Sequence, residues 1–289
     1  MLQASLFGSF SLSVGGRPVA GFPAGKSREL FCMLALAGGW QSRTALGARL
    51  WDDCDEATAR KRLRICLWRI RRSLADLAVD PLFATTDSLV LRLDEVWTDV
   101  GAFERRLRRG DRESLAEAVE LYCGDLLQDS YAEWCLDPRQ ALRQHYLHAL
   151  RSLMQGARER QQWVEAIRWG RQLLQHEEYR EDVHRELMRS FMALGDRAAA
   201  LRQFEVCRDL LRRELGVEPM PETIGVYREI HNGGPAPERA LLSSPSTPEL
   251  HLLGEQVRAE LGDIAALLDQ LRTRLSSVAQ QLAPPRQDD

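Results

Sequence analysis

The chain has 289 residues, of which 44% are hydrophobic and 28% charged. That is the balance of a soluble globular protein long enough for two domains, and it excludes fibrous, collagen-like and wholly disordered chains. No run of about 20 apolar residues occurs, and no basic start leads into an apolar core, so neither a membrane span nor a signal peptide is expected. Six scattered cysteines without a Cys-x-x-Cys pair point to free thiols in a reducing cytoplasm. The net charge of −3 hides an asymmetry: residues 1–98 carry 13 basic against 10 acidic side chains, residues 99–240 carry 22 against 25, and residues 241–289 carry 4 against 7. The excess concentrates in residues 60–72, which hold seven basic side chains and no acid. A basic stripe in an acidic chain suggests a localised polyanion site.

Residues 5–20 alternate loosely (Leu6, Phe10, Leu12, Val14) and turn at Gly15-Gly16, which predicts a β-hairpin. From Ser27 the period changes to that of a helix, with Leu30, Phe31, Leu34 and Ala35 on one stripe and Gly38-Gly39 as its C-terminal signal. Thr44–Trp51 predicts a second short helix. A third is capped by Asp55 or Thr58 and runs to about Leu77. Residues 82–93 alternate again (Leu82, Thr85, Leu89, Leu91, Leu93) and predict a second hairpin. Strands, three helices and a hairpin, in that order, describe a winged helix-turn-helix over residues 1–98.

Residues 99–231 read as almost purely helical, and they repeat. Ala166-Ile167, Gly170 and Leu173 recur 34 positions later as Ala200-Leu201, Phe204 and Cys207, the period of a tetratricopeptide-like (TPR-like) array. Gly195-Asp196 is expected to turn inside the second unit and Pro219 to end it. Trp134, Trp163 and Trp169 are expected in the repeat core, with a ligand groove for an unidentified effector as the alternative. Residues 232–248 are rich in Gly, Pro and Ser and read as a linker. Over 249–283, positions 250 to 282 step by four and three, and nine of those ten are Leu, Ile or Val. This heptad stripe, including Val257, Leu261, Ile264, Leu268, Leu271, Leu275, Val278 and Leu282, predicts a coiled-coil helix that joins chains into a homo-oligomer. The alternative is an amphipathic helix folded back on its own protomer. The expected fold class is mainly α: a winged helix with small β-sheets, a TPR-like all-α domain and the C-terminal coiled coil.

The segment 57–74 carries the chemistry. On a helical wheel Leu63, Leu67, Ile70 and Leu74 form one core stripe. The opposite face presents Lys61, Ile65, Trp68, Arg69 and Arg72, with Arg60, Arg64 and Arg71 on one flank and Arg62 on the other. A helix with one apolar face and a cationic remainder suits a DNA major groove, where arginine bonds guanine edges or phosphates. A merely solvated charged face is less favoured, because no acid lies within 60–72 to relieve the repulsion and because Ile65 and Trp68 share the exposed side. Lys61, Arg62, Ile65, Trp68, Arg69 and Arg72 are therefore expected at base edges, and Lys26, Arg60, Arg64 and Arg71 at phosphates of double-stranded DNA.

Gly25-Lys26-x-Arg28-x-Leu30, Leu50-Trp51, Ala59-Arg60-x-x-Leu63 and Arg69-Ile70-Arg71-Arg72-x-Leu74 resemble, in that order, the SARP-type antibiotic regulatory transcriptional activators. Asp99-Val100-x-x-Phe103-Glu104 and the segment Arg213-Glu214-Leu215-Gly216-Val217-Glu218-Pro219-x-Pro221-Glu222 are similar to the bacterial transcriptional activation domain that follows in that family. The resemblance covers residues 4–231. It implies an OmpR-like winged helix with its third helix in the major groove, a helical repeat domain that helps dimerisation, binding at promoter repeats, and recruitment of RNA polymerase. The chain departs from the family pattern at Trp68 on the recognition helix and at Ser88-Leu89 in the wing, which has no Arg or Lys between Ser73 and Leu91. That weak wing motivates the competing reading, a TPR-like scaffold with a degenerate winged helix.

Other motifs lead nowhere. Gly21-x-x-x-Gly25-Lys26-Ser27 has one residue too few for a phosphate loop. His145 and His148 lack a third ligand at helical spacing, the cysteines show no zinc pattern, and no nucleophile motif occurs, so no metal, cofactor or catalysis is expected.

Overall fold

The computed structural model describes residues 1–75 and 80–233. The linker beyond Gly233, the heptad segment 249–283 and the expected helix end at Leu77 lie outside the described residues.

The N-terminal lobe begins with β1 (Leu2–Ser5), β2 (Ser11–Val14) and β3 (Arg17–Pro18), followed by α1 (Lys26–Ala37). The β2–β3 loop is Gly15-Gly16, and both glycines have positive φ, as a two-residue hairpin of this hand requires. Helix α1 ends on Gly38 in the left-handed conformation, the stop read from the sequence. Then come β4 (Gln41–Ser42), α2 (Arg43–Leu50), α3 (Glu56–Ser73), β5 (Leu82–Ala84), β6 (Ser88–Leu91) and β7 (Val96–Thr98). β5 and β6 form the expected wing hairpin, with β4 added at its edge. Periodicity missed β4 and β7, and it placed the start of the first strand too late. β7 pairs in parallel with β1, Leu2 opposite Val96 and Ala4 opposite Thr98, to complete a four-stranded sheet. That pairing joins segments more than 90 residues apart, so no local pattern announces it.

The helical lobe contains α4 (Asp99–Arg109), α5 (Arg112–Leu121), α6 (Leu136–Glu159), α7 (Trp163–Leu174), α8 (Glu181–Ala193), α9 (Arg197–Leu210) and α10 (Pro221–His231). The 34-residue repeat is present: Ala166, Ile167 and Leu173 of α7 and Ala200, Phe204 and Cys207 of α9 are buried. Two sequence expectations shift. Gly195, with φ 77°, turns between α8 and α9 and so separates the two units. Pro219 precedes the second helix of the second unit, α10, and does not end that unit. At Gly170 an added Cβ would meet Leu187 Cδ2 at 2.8 Å and Met154 Sδ at 3.1 Å, so glycine there allows α6, α7 and α8 to close together.

Residues 122–132 break the helical run and reach back to the loop between β1 and β2. Leu127 N–H donates to Leu6 O (2.8 Å), Gly8 N–H to Asp125 O (2.9 Å) and Gln128 N–H to Gly8 O (3.0 Å). Arg139 fixes this loop from below, donating to the carbonyl oxygens of Leu126, Leu127 and Ser130 at 2.7 Å each. Phe7 packs on Phe103 and Tyr122, and Tyr122 stacks on Tyr146 at 4.1 Å between centroids. One continuous apolar core therefore runs from the N-terminal sheet through α1–α3 into α4–α7. Trp134 belongs to this seam: its Nε1–H donates to Glu29 of α1 at 3.1 Å, a correction to its expected place in the repeat core. Trp169 is buried among the repeats as expected.

His184 on α8 is 2% exposed. Its Nε2 lies 3.0 Å from Glu178 O and its Nδ1 2.7 Å from Gln203 Nε2, partners that suit a neutral ring donating through Nε2. Burial lowers its pKa below 6.5, and His176 shifts the same way for the same first cause. The unfolded chain thus takes up the proton at a higher pH than the folded one, and stability falls as pH drops through about 6.5. Thermal unfolding midpoints measured from pH 8 to 5 are expected to decline, with a shallower decline in His184→Gln. An identical pH dependence in that variant contradicts the assignment.

Candidate nucleic-acid interface

α3 is held in place from both ends and from beneath. Asp55 is the N-cap, its carboxylate accepting from Thr58 N–H at 2.9 Å and from Thr58 Oγ1–H at 2.8 Å, and these bonds lower its pKa. Of the two caps the sequence allowed, Asp55 fills the role and Thr58 is its partner. Arg71 and Arg72 occupy the last turn, where the helix dipole favours cations. Leu63, Leu67, Ile70 and Leu74 are all buried, as the wheel predicted, together with Ala59 and Cys66. Gly47 of α2 lets the two helices approach: a Cβ there would lie 3.2 Å from Ala59 Cβ.

The outward face of α3 carries Lys61, Arg64, Ile65, Trp68, Arg69 and Arg72, all exposed. Among the described residues no carboxylate lies within ion-pair distance of Lys61, Arg64, Arg69 or Arg72. The Arg72 guanidinium sits over the Trp68 ring, 5.2 Å from its centroid. Three of the seven basic residues do have acidic partners, which corrects the expectation of an unrelieved stripe. Arg60 pairs with Glu56 one turn back at 2.9 Å, Arg62 with Asp53 at 3.3 Å and Arg71 with Asp80 at 3.0 Å. Two of these acids come from loops flanking the helix, so helical spacing alone does not reveal them. Arg62 is half-buried on the far flank, away from the face that Lys61 and Arg72 share. Arg71 also donates to Leu82 O at 3.0 Å, tying the helix to the wing.

Arg43, which opens α2, extends the cationic surface and was not singled out by the sequence pattern. Burial first, and then the guanidinium groups of Arg71, Arg64 and Arg60, lower its pKa, so four arginines converge where α2, α3 and the wing meet. Its Nε–H donates to Thr85 O in the wing turn at 3.0 Å. Lys26 is not part of this group. It opens α1 and pairs at 3.1 Å with Glu29, the residue that also accepts from Trp134 at the seam between the lobes. Ser27, which follows Lys26, is buried. His145 and His148 are exposed on α6, and no group of metal-holding side chains occurs among the described residues. No helix among the described residues is long and apolar enough to cross a membrane.

Residues 98–231 match the family model of the bacterial transcriptional activator domain. Among solved structures, the chain is similar to one described as Mycobacterium tuberculosis EmbR in complex with a low-affinity phosphopeptide, with a TM-score of 0.64 and 20% identity. That match covers 81% of this chain but 66% of the other, just under two thirds of its length. No curated protein matches the chain. The lobe that holds the cationic helix is thus joined through one core to a helical lobe that matches the bacterial transcriptional activator domain.

Proposed function

We propose that the chain is a sequence-specific DNA-binding regulator, an activator, that lays α3 in the major groove of promoter DNA. The observation that carries this reading is the outward face of α3, where Lys61, Arg64, Arg69 and Arg72 stand free of described carboxylates around two exposed apolar side chains. Phosphate neutralisation by such a face gives salt-dependent affinity, while arginines at base edges give sequence dependence. Lys61, Arg69 and Arg72 are assigned to base edges. Arg64, with Arg43 and Arg60 beside it, is assigned to phosphates; Arg62 and Arg71, bonded to Asp53 and Asp80, take supporting roles. The SARP resemblance supports repeated promoter half-sites and recruitment of RNA polymerase.

Two substitutions separate these roles. Arg69→Ala is expected to cost about 1–3 kcal/mol on the preferred site and to relax preference at one base pair. Arg64→Ala is expected to weaken all sequences alike and to flatten the salt slope by about one unit. Fluorescence anisotropy at several salt concentrations checks both, and unchanged binding in both variants removes α3 from the interface.

The heptads of residues 249–283 are proposed to join protomers, with Leu261, Leu268, Leu275 and Leu282 alternating with Val257, Ile264, Leu271 and Val278 in the seam. Truncation after residue 240 is then expected to lower the molar mass seen by light scattering. An unchanged mass means that the segment packs on its own protomer.

A further inference from the structure

We infer that Ile65 and Trp68 read thymine methyl groups, an inference that rests on the proposed docking of α3 in a major groove. Both side chains are exposed, Ile65 by 44% and Trp68 by 58%, at positions one helical turn apart in the middle of a cationic face. The fold does not need them there. The stripe that holds α3 to the core is complete without them, and Leu63 and Ile70 are fully buried. Large apolar groups surrounded by arginines on a surface of this kind have one apolar counterpart in B-DNA, the C5 methyl of thymine, which lies in the major groove.

The surroundings fit that role. Arg72 lies over the Trp68 ring at 5.2 Å, a cation–π contact that pins the indole against the helix while leaving guanidinium N–H groups available to acceptors. Arg64 on one flank, assigned to a phosphate, and Arg69 on the other, assigned to a base edge, bracket the pair and so hold Ile65 and Trp68 over the groove floor. Three residues of helix rise about 4.5 Å, and successive base pairs rise 3.4 Å. The two side chains therefore address methyls one to two base pairs apart. Each half-site is expected to contain closely spaced thymines, on one strand or across both.

The test replaces thymine by deoxyuridine, which removes the methyl and nothing else, one position at a time in the duplex selected by the full-length protein. At one or two positions per half-site the wild-type protein is expected to lose about fourfold in affinity, the worth of one buried methyl-sized group. Ile65→Ala and Trp68→Ala are each expected to abolish the loss at one of those positions while retaining salt-dependent binding. Sequence-selective binding that is indifferent to deoxyuridine at every position overturns the methyl reading alone, and assigns the apolar pair to a protein partner instead. Failure to select any duplex overturns both the methyl reading and the DNA-binding function on which it rests.

Discussion

Replacing Lys61, Arg64, Arg69 and Arg72 together by alanine is expected to reduce affinity for the preferred duplex by about three orders of magnitude near 100 mM salt. Each contact contributes roughly 1–1.5 kcal/mol, and tenfold in affinity is about 1.4 kcal/mol. The four side chains are exposed and the core stripe beneath them is untouched, so the fold is expected to survive. Two consequences distinguish this from general charge loss. The salt slope should fall by about one unit, because Arg64 is the one of the four assigned to a phosphate, while sequence preference is lost with the three base-edge contacts. An equal number of arginines removed from the helical lobe, such as Arg202, Arg208, Arg228 and Arg168, should leave the affinity within a few-fold. Loss of similar size in that control variant would mean that net charge, and not α3, governs binding.

The largest effect on stability is expected at Asp99. The residue is 4% exposed and sits where β7 passes into α4. Oδ2 accepts from Leu6 N–H at 2.8 Å and Phe7 N–H at 2.9 Å, and Oδ1 from Val100 N–H at 2.8 Å. Burial pushes its pKa up and the same backbone amides pull it back. Asp99→Ala leaves buried N–H donors of Leu6 and Phe7 unpaired, at a cost of about 3–5 kcal/mol. Asp99→Asn keeps one acceptor but turns an NH₂ group towards the donors, and is expected to recover part of that loss. Denaturant unfolding measures both variants, and a loss below about 1 kcal/mol for the alanine variant contradicts the role. Because Leu6 and Phe7 also carry the contacts to Leu127 and Tyr122, the same substitution is expected to loosen the N-terminal lobe from the helical one.

α3 was readable from the sequence because a single helix encodes its own two faces. Leu63, Leu67, Ile70 and Leu74 at spacings of three and four fix the buried side, and the charges follow on the other. The 34-residue repeat was readable for a similar reason, since Ala166 and Ala200 occupy equivalent tight positions. What escaped depends on distant segments meeting. Val96–Thr98 is too short to show an alternation, and becomes a strand because β1 is there to pair with it. Trp134 looked like a repeat aromatic until its indole met Glu29, 105 residues earlier in the chain. Asp53 and Asp80 are bound to Arg62 and Arg71 from flanking loops, and Arg43 joins the site only because α2 points its first turn at α3. Residues 122–132 interrupt the almost purely helical lobe because that loop takes its hydrogen bonds from Leu6 and Gly8, in the loop after β1, and from Arg139.

Selection of duplexes from a random DNA pool by the purified full-length protein, carried out at two salt concentrations, tests the central claim most directly. The account predicts an enriched pair of half-sites, with affinity falling steeply as salt rises and a spacing set by the oligomer. No enrichment, or salt-sensitive binding without sequence preference, contradicts it and favours a scaffold built on the helical lobe.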